Sequence, residues 1–178
     1  MLNQVNVAIH VICVPILLMT GFLLATNSPT LPLPAWLTVR QLPPNLGTTS
    51  ALLYSLLYML MEPFAGALLA PLLMGGTAVS NHLTSTYGMK ANKIALTVHI
   101  VCWIAQFIGH GVYEGRAPAL LDNLVQAIFL APFFVWLEIL FFFGYRPELK
   151  SRLDKAVQSD IAKWKSEKTS AGTNGSAK

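Results

Sequence analysis

From Val5 to Ala25 the chain runs for about 21 residues without one charged side chain. At 1.5 Å per residue, a helix of that length covers the roughly 30 Å of a bilayer's hydrocarbon core. Further apolar blocks follow, and they lift the hydrophobic share to 54% and the mean hydropathy to +0.54, with only 11% charged residues. That is above the composition of an ordinary water-soluble domain. The pattern predicts an all-α, polytopic helical membrane protein with four or five membrane helices and a C-terminal amphipathic helix.

The opening residues, MLNQVNVAIHVICVP, lack a basic leader and hold His10 inside the apolar run. They read as a retained span and not as a cleaved signal peptide. Pro15 is a candidate kink. Thr26 to Thr49 carries Pro29, Pro32, Pro34, Pro43 and Pro44 and reads as a loop outside the membrane. Ala51 to Val79 is apolar but is cut by Glu62-Pro63. It is either one long kinked span or a tight helical hairpin turning at Glu62. Gly66, Ala67, Ala70, Gly75 and Gly76 suit close helix packing in lipid. Asn81 to Asn92 reads as a polar loop, Lys93 to His110 as a span, and Leu124 to Phe143 as the last span, with Pro132 as a kink.

Residues 1–148 therefore read as the membrane domain. Leu149, Leu153, Val157, Ile161 and Trp164 recur every three or four residues, which predicts an amphipathic helix over 149–168 that can lie on a membrane surface. Residues 169–178 read as a disordered tail. Basic residues crowd the tail (Arg146, Lys150, Arg152, Lys155, Lys163, Lys165, Lys168), which places the C-terminus in the cytoplasm. The last span then starts on the opposite side, near Asp122. With 12 Lys and Arg against 8 acids, no nucleic-acid partner is indicated. The two cysteines, Cys13 and Cys102, both lie in apolar runs and read as buried thiols.

Chemistry is expected between Gln106 and Asn123. There Gly109, Gly111, Gly115 and Pro118 interrupt the helical pattern, and His110, Glu114, Arg116 and Asp122 gather. The four histidines His10, His82, His99 and His110 are candidate metal ligands, because neutral imidazole suits iron, zinc and copper. A lone histidine in an apolar segment also serves as a hydrogen-bonding group to nearby backbone. His99 and His110 share a helical face but lie about 16 Å apart along a straight helix, so they cannot both bind one ion there. His110 and Glu114 are four residues apart, the spacing at which one helical turn presents two ligands. Glu138 and His99 are expected at a similar depth, as ligand and partner or as a proton relay. Arg116 is placed to meet a substrate carboxylate, or to pair with Asp122 or Glu114. No HExxH, GxSxG, GxGxxG, P-loop, CxxC or desaturase-type histidine box is present.

The run QFIGHGVYEGRAPALLDNLVQAIFLAPFFVWLEILFFFGYRPELKSRL, with NVAIHVICVP at the start, resembles the endoplasmic-reticulum 2-hydroxy fatty acid dioxygenases of fungi and their bacterial relatives. The similarity covers most of residues 3–153. It implies an iron(II)-dependent enzyme of the endoplasmic-reticulum membrane. Such an enzyme uses molecular oxygen to shorten a long-chain 2-hydroxy fatty acid by one carbon, in phytosphingosine breakdown. By motif, His10, His110 and Glu114 carry over. His82 and His99 look like positions shared by the fungal members. One departure stands out: the family usually has a histidine four residues before the asparagine matched by Asn6, and Leu2 stands there. The chain either starts at an internal methionine or is a divergent or inactive member. A non-catalytic lipid-binding or scaffold protein and a small proton-coupled transporter are the alternatives.

His10 and His110 are the expected pair on one iron, with Glu114 as ligand or orienter. That pairing requires residues 51–79 to cross the membrane twice and the start of the first span to lie opposite the tail. If they cross once, His10 lies near the cytoplasmic face with His82, His99 and Glu138, and those become the site while His110 becomes structural.

Overall fold

The computed structural model describes residues 4–34, 36, 38–114 and 126–175. Its regular elements are all helical: α1 Gln4–Ala25, α2 Leu46–Met61, α3 Pro63–Tyr87, α4 Met89–Ile108, a π-helical turn Gly109–Glu114, a second π-helical turn Gln126–Leu130, α5 Ala131–Phe142 and α6 Pro147–Gly175. Among the described residues, three helical stretches are long and apolar enough to cross a membrane: Gln4–Ala25, Pro63–Tyr87 and Met89–Val112. Leu46–Met61 and Ile128–Phe142 are shorter apolar helices. Large apolar side chains cover the outside, and polar groups sit among the apolar residues of the core. Leu53, Leu60, Phe64, Leu72, Ile94 and Val101 face outward, whereas Asn6, His10, Thr77, Ser80, Asn81 and Gln106 are buried. Lipid is the solvent that favours this arrangement, so the chain is a multi-pass membrane protein.

The choice at Glu62 resolves as the hairpin. Proline at the first position of α3 suits a helix start, and the Glu62 carboxylate accepts from Ala65 N–H at 2.6 Å as the cap. The two arms then pack closely, because a Cβ on Gly66 would collide with the backbone of Tyr58 and Met59. Gly76 likewise makes room for Met19 of α1, whereas Gly75 faces open space.

The predicted polar loop at Asn81–Asn92 is a correction. α3 runs through Asn81 and His82 to Tyr87, and the break is confined to Gly88, whose φ of 50° suits glycine. The polar residues there are satisfied across helices, so they did not end the helix. Asn45 Nδ2 donates to Asn81 Oδ1 at 2.7 Å, Thr26 and Thr84 hydroxyls meet at 2.9 Å, and Asn27 and Asn92 exchange amide hydrogen bonds. α1 continues through Pro15.

A second correction concerns the last apolar segment. Tyr54 stacks on Phe129, Tyr58 stacks on Phe133, and Trp136 Nε1–H donates to the carbonyl of Ala65, just past the hairpin. α5 therefore steps along α2 in the same direction. α2 and α4 both run antiparallel to α1, so α5 runs parallel to α4 and not back from it as expected. The hydroxyls of Tyr54 and Tyr58 donate to the carbonyls of Ile128 and Phe129. These lie in the second π-helical turn, where the regular i→i+4 pattern is interrupted.

The chain divides into two units, Met1–Glu138 and Ile139–Lys178. Within the second, α5 ends in a Schellman motif. Gly144 (φ 83°) donates to Phe141 and Tyr145 N–H reaches back to Leu140 at 3.0 Å. α6 carries a Lys150–Asp154 ion pair and exposes Leu153 and Val157. It runs to Gly175, past Thr169, where the composition predicted loss of helix; residues 176–178 lie outside the described residues.

Candidate functional site

α1 and α4 lie side by side and antiparallel. Their pairing is read at three levels: Asn27 with Asn92, Thr20 with His99, and His10 with His110. The two imidazoles of the last pair are 4.8 Å apart by ring centroid and meet edge to face at 77°. His10 is buried, and its Nδ1 lies 2.8 Å from the carbonyl oxygen of Asn6, one turn earlier. A carbonyl only accepts, so Nδ1 carries the proton and Nε2 carries the lone pair. This is how a histidine ligand is usually oriented. His110 sits in the π-helical turn that ends α4. Such turns gather at functional sites because they re-aim a side chain relative to the helix.

Close approach of the two helices here depends on Gly109. A Cβ at that position would overlap the side-chain oxygen of Asn6. Asn6 is fully buried, and among the described residues neither its Oδ1 nor its Nδ2 has a hydrogen-bond partner; the same holds for Nε2 of buried Gln106. Each carboxamide stands four residues before a histidine of the pair, Asn6 before His10 and Gln106 before His110. That repeated spacing was the available sequence signal, and composition alone did not reveal it.

A cavity of about 390 Å³ opens from the pair. His10, Gln106 and His110 form its polar end. Val14, Leu17 and Phe107 form part of its apolar wall, and Ala25 and Leu46 lie at its far end.

His99 also lines this cavity, but about 16 Å along α4 from His110. Trp103 Nε1–H donates to His99 Nε2 at 3.0 Å, so Nδ1 bears the proton and donates to Thr20 Oγ1 at 2.8 Å; Thr20 in turn donates to Ile16. Both ring nitrogens of His99 are thus engaged. His82 is exposed on α3, near the Thr26–Thr84 contact and so at the end of the bundle away from His10. Glu138 is exposed on α5. Because α5 runs toward the His10 end, the expected match in depth between Glu138 and His99 is not found. The backbone of Glu114 belongs to the π-helical turn with His110. Its side chain, like Arg116, Asp122 and Leu2, lies outside the described residues.

Two imidazoles in contact can share one ion, since each nitrogen must come within about 2 Å of it. Among the described residues, no group of three or more His, Cys, Asp or Glu could hold a metal. The two donors in contact here, His10 with its Nδ1 proton fixed and His110, are of the nitrogen type that suits borderline divalent ions such as iron(II) and zinc(II).

The family model described as 2-hydroxy-palmitic acid dioxygenase Mpo1-like matches residues 2–143. The 2-hydroxy-palmitic acid dioxygenase MPO1 of Saccharomyces cerevisiae is 37% identical over 159 residues, covering 88% of this chain and 82% of the yeast protein. No solved structure matches the chain. The matched stretch includes α1, α4 and the paired histidines between them, and on this evidence the chain belongs to the Mpo1-like family.

Proposed function

We propose that this protein is an iron(II)-dependent dioxygenase that uses molecular oxygen to shorten long-chain 2-hydroxy fatty acids by one carbon, in the endoplasmic-reticulum membrane. The observation that carries this reading is the contact between His10 and His110 at one end of a largely apolar cavity. The name of the yeast relative supports the substrate class.

His10 and His110 would hold the iron, with Glu114 as a further ligand or orienter. Bound there, iron(II) would supply the redox chemistry that lets oxygen react with an organic acid. The Asn6 carbonyl holds the His10 tautomer, and the apolar wall takes the acyl tail and keeps water out. Arg116 is proposed as partner to the substrate carboxylate. Along α1 the lining runs from His10 to Ala25, about 22 Å of helix. A 16-carbon chain at about 1.2 Å per bond spans roughly 18 Å. The cavity is therefore long enough for a palmitic-type tail.

The test is purified protein with iron(II), oxygen and 2-hydroxyhexadecanoate, with products separated by chain length. Formation of the odd-chain, one-carbon-shorter product is expected. Folded, iron-loaded protein that yields none would refute the reading. A second reading, a non-catalytic lipid-binding protein, is favoured by Leu2 at the place of the family histidine. It predicts fatty-acid binding without product.

A further inference from the structure

Inside a helix, glycine is less favourable than alanine, because it has more backbone freedom to lose. Gly66, Gly76 and Gly109 have a packing reason to be glycine, since a Cβ at each would fall on a neighbouring atom. Gly21, in the interior of α1, has none. Among the described residues, the atom nearest to its Cβ position is His99 Cε1 at 4.0 Å, an ordinary contact distance. What Gly21 borders is the cavity. His10, Val14, Leu17, Gly21 and Ala25 line it along one face of α1, and Gly21 alone among them has no side chain.

His99 lies beside Gly21 in the same wall, and its ring is held in place. Trp103 Nε1–H donates to its Nε2 at 3.0 Å, and its Nδ1 lies 2.8 Å from Thr20 Oγ1. A larger side chain at position 21 cannot push that ring aside and would be turned into the cavity. Gly21 stands eleven residues after His10, about 16 Å along the helix axis. An acyl chain with its head at the histidine pair advances about 1.2 Å per bond, and comes level with Gly21 at about its thirteenth carbon. Later carbons lie toward Ala25 and Leu46, at the far end.

We propose that Gly21 is a specificity-determining residue for acyl chain length: its bare backbone leaves the passage beside His99 open, so that a 16-carbon tail reaches the far end of the cavity. This rests on reading the cavity as a fatty-acid site.

The test compares wild-type protein with Gly21→Ala and Gly21→Leu. All are loaded with iron(II) and held without oxygen, so that binding is read without turnover. Equilibrium binding of 2-hydroxyhexadecanoate and of 2-hydroxydecanoate is measured, along with the ligand-free melting temperature. The shorter acid ends before Gly21, whereas the longer one must pass it. Gly21→Leu should weaken the 16-carbon acid about tenfold relative to the 10-carbon acid, the cost of forcing a tail past an inserted side chain. Gly21→Ala should hold or raise the melting temperature, since alanine is the better helix former. A lower melting temperature for Gly21→Ala, or a Gly21→Leu protein that does not fold, would assign the glycine to packing and overturn the proposal. Equal weakening of both acids, or an unchanged ratio, overturns it as well while leaving the fatty-acid reading intact. If the wild type binds neither acid, the fatty-acid reading fails and this inference falls with it.

Discussion

Replacing Gly109 by alanine sets two effects of opposite sign against each other. The residue has helical dihedrals, φ −54° and ψ −48°. On local grounds alanine should stabilise it, by about 1 kcal/mol relative to glycine. Against this, the new Cβ would fall on the side-chain oxygen of Asn6, with Ile9 Cδ1 at 3.2 Å on another side. Asn6 is fully buried, so it must displace neighbours to withdraw. Overpacking of this kind costs about 1–3 kcal/mol. The clash should win, with a net loss of roughly 1–2 kcal/mol and a wider gap between His10 and His110. Gly111 is the internal control, because a Cβ there meets nothing within 4 Å among the described residues. Gly111→Ala should be neutral or slightly stabilising. Denaturant unfolding in mixed micelles, with iron content measured on the same samples, reads both effects. Adding Asn6→Ala to Gly109→Ala should recover stability, with a coupling energy of about 1 kcal/mol or more. If Gly109→Ala proves as benign as Gly111→Ala and keeps its iron, the close helix approach assigned to this glycine is wrong.

His110→Ala should abolish iron binding while His99→Ala leaves most of the iron bound, by metal analysis of purified protein; the reverse ranking would move the site to His99. Tyr58→Phe keeps the ring stacked on Phe133 and removes only the hydroxyl that donates to Phe129. It should cost about 0.6 kcal/mol and at most about 1.7, the mean and maximum for hydrogen bonds between membrane helices, and no loss in unfolding measurements would deny that bond a structural role. A glycosylation acceptor fused after Lys178 should remain unmodified in microsomes; modification there would overturn the cytoplasmic placement of the tail.

Local order along single helices was legible from residue type and spacing alone. Uncharged apolar blocks long enough to span a bilayer demanded helices, and Glu62-Pro63 marked a break because proline cannot continue a helix while a carboxylate can cap one. The motif around His110, together with His10 in the first span, named the two histidines that the structure brings into contact. What the sequence could not decide was anything that depends on a partner helix. Asn81 looked like loop because its amide had no visible partner, and Asn45, 36 residues earlier, supplies one. For His99, a candidate ligand by residue type, the partners of its two nitrogens, Thr20, 79 residues away, and Trp103, were visible only in the fold. The direction of α5 was set by Tyr54 and Tyr58 binding the carbonyls of a π-helical turn, an irregularity that hydrophobic periodicity does not encode. In lipid, apolar side chains gain little by choosing one helix neighbour over another. Small-residue contacts such as Gly109 on Asn6, and polar pairs across helices, therefore decide the packing, and these exist only once the helices have met.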